Sequence, residues 1–301
     1  MALEDNNDKI DNTTVTDDIP LVVVGIGASA GGLEALQGLV ANLPPASGMS
    51  FILAQHLSPS HKSMLVDLLE KNATIPVLVA VNKVKLLPNT FYICPPNYNV
   101  EITRDNLITL SATSEIRHTP RPSVDMLFES IAFAKGESAI GIVLSGTGTD
   151  GSRGLRAIKG EGGFGIAQDP NTAKFDGMPN SAINSGNVDL ILPPDEIGIE
   201  LKSIVTFPRR VPLEIETTVP RELYSGILRK IKRRQKIDFT LYKESTIMRR
   251  IERRMTALKV PKVQSYFNYL DENEAEIEIL FNDMLIGVTS FFRDTTAFLR
   301  L

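Results

Sequence analysis

The sequence predicts an α/β fold, a doubly wound and mainly parallel sheet with an antiparallel hairpin section, followed by a small all-α domain. Runs that are apolar throughout, such as 21–27 (LVVVGIG) and 139–146 (AIGIVLSG), alternate with longer amphipathic stretches. This alternation is typical of parallel strands that helices cover on both faces. Three shorter runs with turn residues between them, at 90–94, 99–103 and 107–111, indicate antiparallel hairpins. Strand patterns largely disappear in the last quarter of the chain.

The elements divide the chain into four segments. We expect a disordered acidic tail at 1–20, an α/β domain at 21–206, a linker with three prolines at 207–220 and a helical domain at 221–301. The remaining strands of the α/β domain are predicted at 50–55, 77–81, 165–168 and 188–193, and its helices at 31–43, 60–71, 123–135, 151–161 and 179–185. Helices of the last segment are predicted at 222–236, 240–258, 263–270 and 273–286.

Composition narrows the class of protein. A length of 301 residues suggests about two domains, and 43% hydrophobic with 23% charged residues is ordinary for a globular chain. The single cysteine, Cys94, excludes an intramolecular disulfide and a multi-cysteine zinc site. No metal site is indicated. The acidic start and the lack of a long apolar run predict a soluble, cytosolic protein without membrane insertion.

A glycine-rich turn follows the first predicted strand, and it fits two templates. Residues 25–30 match G-x-G-x-x-A, which in a dinucleotide-binding fold lets a pyrophosphate approach a helix. Residues 27–31 match G-x-S-x-G, a sharp turn that exposes a serine hydroxyl, here that of Ser29. The dinucleotide interpretation needs an acid after the second strand, where the chain instead has Gln55 and His56. A serine nucleophile needs a base, so we favour the serine interpretation.

His56 and Asp150 follow two other predicted strands. A lone histidine is more often structural, and Asp-Gly is usually only a turn. However, the carboxyl ends of neighbouring parallel strands meet at one edge, so His56 can reach Ser29 and act as its general base. Asp150 is the only acid in its loop, and it could orient the imidazole as the third member of a triad. Together the three loops predict a hydrolase.

These residues, in this order, resemble the catalytic domain of chemotaxis-receptor methylesterases, the CheB family. The matching segments are 26–32 (IGASAGG), 55–59 (QHLSP), 121–130 (RPSVDMLFES), 144–151 (LSGTGTDG), 166–170 (IAQDP), 175–183 (FDGMPNSAI) and 188–193 (VDLILP). The resemblance implies hydrolysis of glutamate methyl esters on receptors, with deamidation of glutamine. It also implies Ser29 as nucleophile, His56 as base, Asp150 as its partner, and an oxyanion site at the backbone of Ala30 and Thr147.

The sequence departs from that family pattern at the same two positions. Ala30 stands where relatives commonly have Thr, which removes a hydroxyl near the site. Thr147 stands where they commonly have Met, but a backbone donor survives a change of side chain. We expect no receiver domain within the first 20 residues, so phosphorylation control within this chain is not expected.

The helical segment contains 239–243 (FTLYK), 246–255 (TIMRRIERRM) and 288–294 (VTSFFRD). Through these residues it resembles the N-terminal domain of chemotaxis-receptor methyltransferases, the CheR family. Residues 221–260 hold 13 basic and four acidic residues, a net charge of +9. Arg249, Arg250, Arg253 and Arg254 have the spacing of one cationic stripe on a helix. In that family such a helix faces an acidic receptor; the alternative is a solvated helix face. Thr289 and Arg293 resemble contacts to S-adenosylmethionine, although Gly287 stands where Asn is common.

Taken together, these observations predict a serine carboxyl-ester hydrolase that needs no cofactor. The expected partner is a methyl-accepting chemotaxis receptor or a similar acidic helical signalling protein, and no nucleic acid is expected. S-adenosylmethionine belongs only to a full-length esterase–transferase fusion, so methyl transfer by this chain is not expected. The alternative is a non-catalytic signalling scaffold that binds a receptor through its basic helices.

Overall fold

The structure, a computed structural model, describes residues 20–56, 64–112, 122–206 and 221–285. The predicted tail up to residue 19 and the predicted linker at 207–220 lie outside the described residues. Thr289 and Arg293 also lie outside them.

A seven-stranded parallel sheet forms the centre of the α/β domain. The strands of the described residues, in chain order, are β1 (Val23–Ala28), β2 (Ser50–Gln55), β3 (Val77–Val79), β4 (Thr90–Ile93), β5 (Tyr98–Ile102), β6 (Ile108–Ala112), β7 (Ala139–Val143), β8 (Phe164–Gln168) and β9 (Leu190–Leu192). The sheet order is β3-β4-β2-β1-β7-β8-β9, with every neighbouring pair parallel. All residues of β1, β2, β7 and β8 are buried, as their continuous apolar runs predict.

The antiparallel section is smaller than predicted. Among the strands of the described residues, only β5 and β6 pair antiparallel, whereas β4 joins the main sheet between β2 and β3. The prediction of a hairpin strand at 90–94 was therefore wrong. Burial explains why β4 does not form a hairpin strand. All four residues of β4 are buried, whereas β5 also has exposed and half-buried residues. A strand buried on both faces belongs inside a covered sheet.

Helices cover both faces of the sheet. Those of the α/β domain are α1 (Gly32–Ala41), α2 (Met64–Glu70), α3 (Val124–Lys135), α4 (Ser152–Gly160), α5 (Gly177–Asn184) and α6 (Pro194–Thr206). The helix α6 was not predicted from the sequence, because Gly198 weakens its helical pattern. A Cβ atom at Gly198 would lie 2.8 Å from the backbone of Asn42, so the glycine permits α6 to pack closely against the end of α1.

The helical domain has a hydrophobic core of its own. Its helices within the described residues are α7 (Arg221–Gln235), α8 (Glu244–Ala257), α9 (Val263–Glu272) and α10 (Glu274–Met284). Fully buried side chains from these helices, including Ile231, Ile251, Tyr266 and Leu280, form this separate cluster. No helix in the described ranges is both long and apolar enough to cross a membrane.

The register of the sheet decides which loops meet. Ala28 at the end of β1 is opposite Gln55 at the end of β2, and Gly27 is opposite Val143 of β7. Three loops therefore leave the sheet side by side at its carboxyl edge, where ligands bind in open parallel sheets. We call this the carboxyl edge and the opposite one the amino edge.

Candidate active site

Ser29 lies in the turn that joins β1 to α1 at the carboxyl edge. Its backbone N–H donates to the carbonyl oxygen of Ser145 at 3.0 Å, which ties this turn to the loop after β7. Gly31 has a φ of +72°, and a Cβ atom there would lie 2.8 Å from both Ser145 Oγ and Lys174 Cβ. Any residue with a side chain would strain this position and collide with those atoms. The glycine thus allows the sharp turn that exposes the Ser29 hydroxyl.

His56 follows β2 directly. Its backbone N–H donates to the carbonyl oxygen of Ala28 at 3.1 Å, which extends the β1–β2 pairing to the last residue of β1. His56 Nδ1 lies 3.1 Å from Ser29 Oγ. The histidine side chain is 17% exposed, so the ring is held by protein yet remains reachable from solvent. The position where a dinucleotide-binding fold needs an acid is thus occupied by an imidazole that faces the serine.

Asp150 approaches the other side of the imidazole from the loop between β7 and α4. Its Oδ2 lies 3.0 Å from His56 Nε2. The carboxylate also accepts backbone hydrogen bonds from Val124 at 2.8 Å and Asp125 at 3.0 Å, both in the first turn of α3. Such N–H groups have no partner within their own helix, and the helix dipole favours a negative charge there. The start of α3 therefore holds Asp150 in one orientation.

These contacts also determine the ionisation of Asp150. Burial alone would raise its pKa, but hydrogen bonds from His56, Val124 and Asp125 outweigh burial, together with the charge of a protonated imidazole. The pKa of Asp150 consequently falls below its ordinary value of 3.8. The side chain is a carboxylate at neutral pH, ready to stabilise a positive charge on His56.

The hydrogen bonds define the histidine tautomer. Because the ionised Asp150 only accepts, the proton of the neutral imidazole lies on Nε2, and the lone pair of Nδ1 faces Ser29 Oγ. This orientation is the reverse of the chymotrypsin arrangement, in which Nε2 faces the serine. The donor and acceptor roles are nevertheless the same, so the ring can take a proton from the serine hydroxyl.

Asp125 completes a reciprocal arrangement between α3 and α4. Its Oδ1 accepts hydrogen bonds from the backbone N–H groups of Gly151 at 2.9 Å and Gly154 at 2.8 Å, at the start of α4. Burial raises the pKa of Asp125 and the nearby charge of Asp150 adds to that effect, although the bond from Gly154 opposes it. Thus α3 supplies a carboxylate to the start of α4, and the loop before α4 supplies one to the start of α3, which fixes the loop that carries Asp150.

The sequence analysis gave the residues around this helix start no role. Pro122 and Ser123, followed by an acid in the first turn, are a recognisable helix-start signal, and Ser123 Oγ accepts the N–H of Met126 at 3.3 Å. That signal locates the beginning of α3. It does not reveal that the same backbone binds Asp150, because this contact joins residues 26 positions apart.

Ser145 is a second residue that the sequence analysis left without a role. Its Oγ lies 3.0 Å from the carbonyl oxygen of Ala30 and 3.2 Å from that of Phe175, and it accepts the N–H of Phe175 at 3.0 Å. Its own N–H donates to Gln168 Oε1 at 2.8 Å. Ser145 is fully buried and joins the Ser29 turn to the loops after β7 and β8.

The two predicted oxyanion residues lie in loops at the same edge. Ala30 follows Ser29 and is half-buried, while Thr147 lies in the loop after β7 and is exposed. Their backbone N–H groups donate to no protein acceptor in the part of the chain that the structure describes. Both groups are therefore available as donors. The described residues contain no group of three or more His, Cys, Asp and Glu side chains placed to hold a metal ion.

The structure does not place the four arginines of α8 on one exposed stripe. Arg249 is exposed, Arg250 is half-buried, and Arg253 and Arg254 are buried at 7% and 5% exposure. Arg254 forms a double hydrogen bond with Glu276 of α10, both contacts at 2.8 Å. The reason for this correction is packing. Other parts of the chain pack against two sides of the cationic face of α8, so helical spacing alone overestimates how much of that face is exposed to solvent.

Comparison with known proteins finds family models that match both domains and a solved structure similar to the α/β domain. A family model described as CheB methylesterase matches residues 24–201, and one described as CheR methyltransferase, all-alpha domain, matches residues 222–285. The crystal structure of the Thermotoga maritima CheB methylesterase catalytic domain is similar with a TM-score of 0.58 and 28% identity, over 62% of this chain and 100% of that one.

Relatives with curated names include protein-glutamate methylesterases. An uncharacterised 104.1 kDa protein of Rhodobacter capsulatus is 33% identical over 79% of this chain, which spans only 27% of that protein. A putative protein-glutamate methylesterase/protein-glutamine glutaminase of Leptospira interrogans is 34% identical over 57% of this chain and 89% of its own length. A protein with the corresponding name from Photorhabdus laumondii is 36% identical over 56% of this chain and 49% of its own length. Because the first family model covers more than half of the sequence, the chain belongs to the CheB methylesterase family.

Proposed function

We propose that the chain is a cytoplasmic serine hydrolase that removes methyl groups from glutamate methyl esters of a chemotaxis receptor or a similar acidic helical signalling protein. The observation that carries this proposal is the continuous contact from Ser29 through His56 to Asp150, with distances of 3.1 and 3.0 Å. Relatives that share the α/β domain are named protein-glutamate methylesterases, which supports the substrate class.

The first half of the reaction forms an acyl-enzyme. Ser29 Oγ attacks the ester carbonyl while His56 Nδ1 takes the hydroxyl proton, and Asp150 stabilises the imidazolium that results. His56 then gives this proton to the methoxy oxygen as the bond from carbonyl carbon to that oxygen breaks. Methanol leaves, and the glutamate side chain remains bound to Ser29 as an ester.

The second half releases the glutamate. A water molecule takes the place of methanol, His56 Nδ1 removes a proton from it, and the resulting hydroxide attacks the acyl carbon. The bond to Ser29 Oγ breaks, and His56 returns the proton to the serine. The product is a glutamate side-chain carboxylic acid, which releases its proton to solvent to give the carboxylate. The enzyme is regenerated by the same residues without a cofactor.

The negative charge that develops on the carbonyl oxygen must be stabilised by hydrogen-bond donors. We propose that the backbone N–H groups of Ala30 and Thr147 provide them, because neither group donates to a protein acceptor among the described residues. One such donor typically contributes about 100- to 1000-fold in rate. This assignment depends on the backbone, so it tolerates the alanine and threonine side chains at these positions.

The same site can release ammonia from a glutamine amide, since attack on an amide carbonyl leads to the same glutamyl ester on Ser29. The printed names of the relatives include protein-glutamine glutaminase. We propose this deamidation as a second reaction of the site, with His56 as the acid that protonates the leaving nitrogen.

Release of methanol from a methylated receptor tests the proposal. Receptor carrying radiolabelled methyl esters is incubated with the wild-type chain, with Ser29→Ala and with the control Ser47→Ala. Ser47 lies in the loop before β2, at the amino edge, and its Oγ accepts the N–H of Met49 at 3.3 Å. We expect volatile label from the wild type and the control and none above background from Ser29→Ala. Equal release by Ser29→Ala would overturn the proposal.

A further inference from the structure

Four buried charges of alternating sign join the two domains at the amino edge of the sheet. Lys159 and Asp189 belong to the α/β domain, and Arg253 and Asp283 belong to the helical domain. Their side chains are between 0% and 6% exposed. We call this group the interdomain ring.

The nitrogen–oxygen distances between neighbouring side chains show that the four charges form a closed ring. Lys159 Nζ lies 2.6 Å from Asp283 Oδ1 and 3.8 Å from Asp189 Oδ1. Arg253 Nη2 lies 2.8 Å from Asp283 Oδ2, and Arg253 Nε lies 3.6 Å from Asp189 Oδ1. The contacts of Arg253 with the two carboxylates lack well-aligned hydrogen bonds, so charge rather than directional bonding joins them. Each cation faces one carboxylate from each domain.

The backbone of the α/β domain contributes to the same site. Arg253 Nη1 lies 3.4 Å from the carbonyl oxygen of Lys159 and 3.5 Å from that of Gly163, at the C-terminal end of α4. Lys159 Nζ donates to the carbonyl oxygen of Gly186, just after α5, at 3.2 Å. Helix C-termini attract cations because their last carbonyl groups are unpaired. The two positive charges thus lie where both carboxylates and helix ends favour them.

Two outer ion pairs extend the contact along α8. Arg249 Nε lies 2.8 Å from Glu137 Oε1, just before β7, and Lys259 Nζ lies 2.7 Å from Glu200 Oε2 of α6. Together with Arg253 they span residues 249–259, which are about two and a half turns of α8 and the turn after it. All these contacts lie at the amino edge or on α6. The loops that carry Ser29, His56 and Asp150 are at the carboxyl edge.

We propose that the arginine face of α8 is an intramolecular docking surface, which fixes the helical domain to the amino edge of the esterase sheet and leaves the serine edge open. Separation of the domains would expose the ring and leave Lys159 with Asp189 alone and Arg253 with Asp283 alone. While the domains are docked, Arg253 is not free to contact an acidic partner. The exposed basic residues of the helical domain lie mainly on α7 and just after it, at Arg229, Lys232, Arg233, Arg234 and Lys236.

This inference can be tested by cross-linking in the full chain. The variant Glu137→Cys with Arg249→Cys places one thiol on each side of the interface. The matched control is Glu137→Cys with Arg233→Cys, since Arg233 is exposed on α7 and lines a cleft formed by residues of the helical domain. The native Cys94 is buried, which raises its pKa to about 12 and keeps it unreactive towards maleimides.

A short bismaleimide reagent then reports the arrangement of the domains. We expect the interface pair to cross-link at least about ten times faster than the control pair, because docking raises the effective concentration of one thiol pair only. Equal rates would mean that the domains move independently on their linker, and would overturn the proposal.

A ring variant isolates the role of the buried charges. Lys159→Met keeps much of the side-chain volume and removes the charge, and hydrolysis of a small ester reports whether the α/β domain still folds. We expect near-normal hydrolysis with a loss of the rate difference between the two cysteine pairs. An unchanged rate difference in this variant would show that the ring does not hold the domains together. If Lys159→Met fails to fold, the two cysteine pairs in the unaltered ring still decide the question.

Discussion

The two edges of the sheet both hold buried carboxylates, but they hold them differently. At the carboxyl edge, Asp150 is bound by backbone N–H groups of α3 and by one imidazole. At the amino edge, Asp283 is bound by Lys159 and Arg253. Burial alone would raise both pKa values, and in both sites the surrounding donors and charges lower them below the ordinary value.

The difference lies in the partner. In the proposed reaction His56 takes up a proton and gives it back, so a positive charge beside Asp150 appears and disappears. Asp283 instead contacts the ammonium group of Lys159 and the guanidinium group of Arg253, which take no part in the proposed reaction. We therefore propose that a buried carboxylate supports catalysis at one edge and domain attachment at the other. Variants at the two edges should separate activity from stability.

The largest expected effect is that of His56→Ala on activity. Removal of the base should lower kcat by about a million-fold, because members of a triad act as a unit. The double variant Ser29→Ala with His56→Ala should lose no more than either single variant. Methanol release under single-turnover conditions measures both, with circular dichroism as a check of the fold. Additive losses would mean that the two residues act separately.

Asp150→Asn should have a smaller but still large effect. The amide can present a donor to His56 Nε2, which stabilises the wrong tautomer, and kcat should fall by about 10,000-fold. KM should change little, since Asp150 contacts the imidazole nitrogen that faces away from Ser29. The pH dependence of kcat should also change in shape. A loss seen mainly in KM would contradict the role proposed for Asp150.

At the amino edge the expected effect is on stability. Asp283→Asn leaves the buried Lys159 and Arg253 short of a negative charge, which should cost about 3–5 kcal/mol in the free energy of unfolding. Denaturant titration measures it, and Asp271→Asn is the control. Asp271 pairs with Lys230 but its side chain is 56% exposed, so its removal should cost less than about 1 kcal/mol.

Small-ester hydrolysis at Ser29 should survive Asp283→Asn under conditions where the chain is folded. Equal losses of stability in Asp283→Asn and Asp271→Asn would contradict the importance of the buried charges.

The pH dependence of stability provides a separate test of Asp150. Because its pKa in the folded chain lies below 3.8, the carboxylate contributes stability above pH 3.8. This contribution is lost as the pH falls through the lowered folded value. The difference in the free energy of unfolding between the wild type and Asp150→Asn should therefore shrink in acid. A difference that grows as the pH falls would contradict the direction of the shift.

The smallest effect is expected at the outer pair on α6. Glu200→Lys places a second cation near Lys259 and should cost about 1 kcal/mol or less, since that lysine is 67% exposed. Adding Lys259→Glu should restore the loss, and high salt should reduce the difference. Denaturant titrations at low and high salt measure both changes. Absence of rescue at low salt would mean that the two side chains are not paired.

The sequence predicted the carboxyl edge better than the amino edge. Ser29, His56 and Asp150 each follow an apolar strand, and parallel strands bring their ends together, so local patterns were enough to predict that they meet. The structure brings all three within hydrogen-bond distance. The contact between Asp150 and α3 was not predicted, because nothing local to residue 150 indicates which helix start lies beside it.

At the amino edge, helical periodicity placed the arginines of α8 on one face but could not tell a partner domain from solvent. Lys159 and Arg253 are 94 positions apart in sequence. Their meeting depends on how two folded domains dock, which no local pattern records. The spacing of the arginines therefore predicted which face of the helix they share. It could not predict the burial of Arg253 and Arg254, because that depends on packing.

Covalent labelling of Ser29 tests the central claim most directly. A fluorophosphonate reacts with a serine hydroxyl only where a base activates it, and peptide mapping identifies the modified residue. We predict one adduct, on Ser29, in the wild-type chain and none in His56→Ala, with methanol release lost in proportion to labelling. A chain that releases methanol at the normal rate after full modification of Ser29, or that never labels there, would contradict the account.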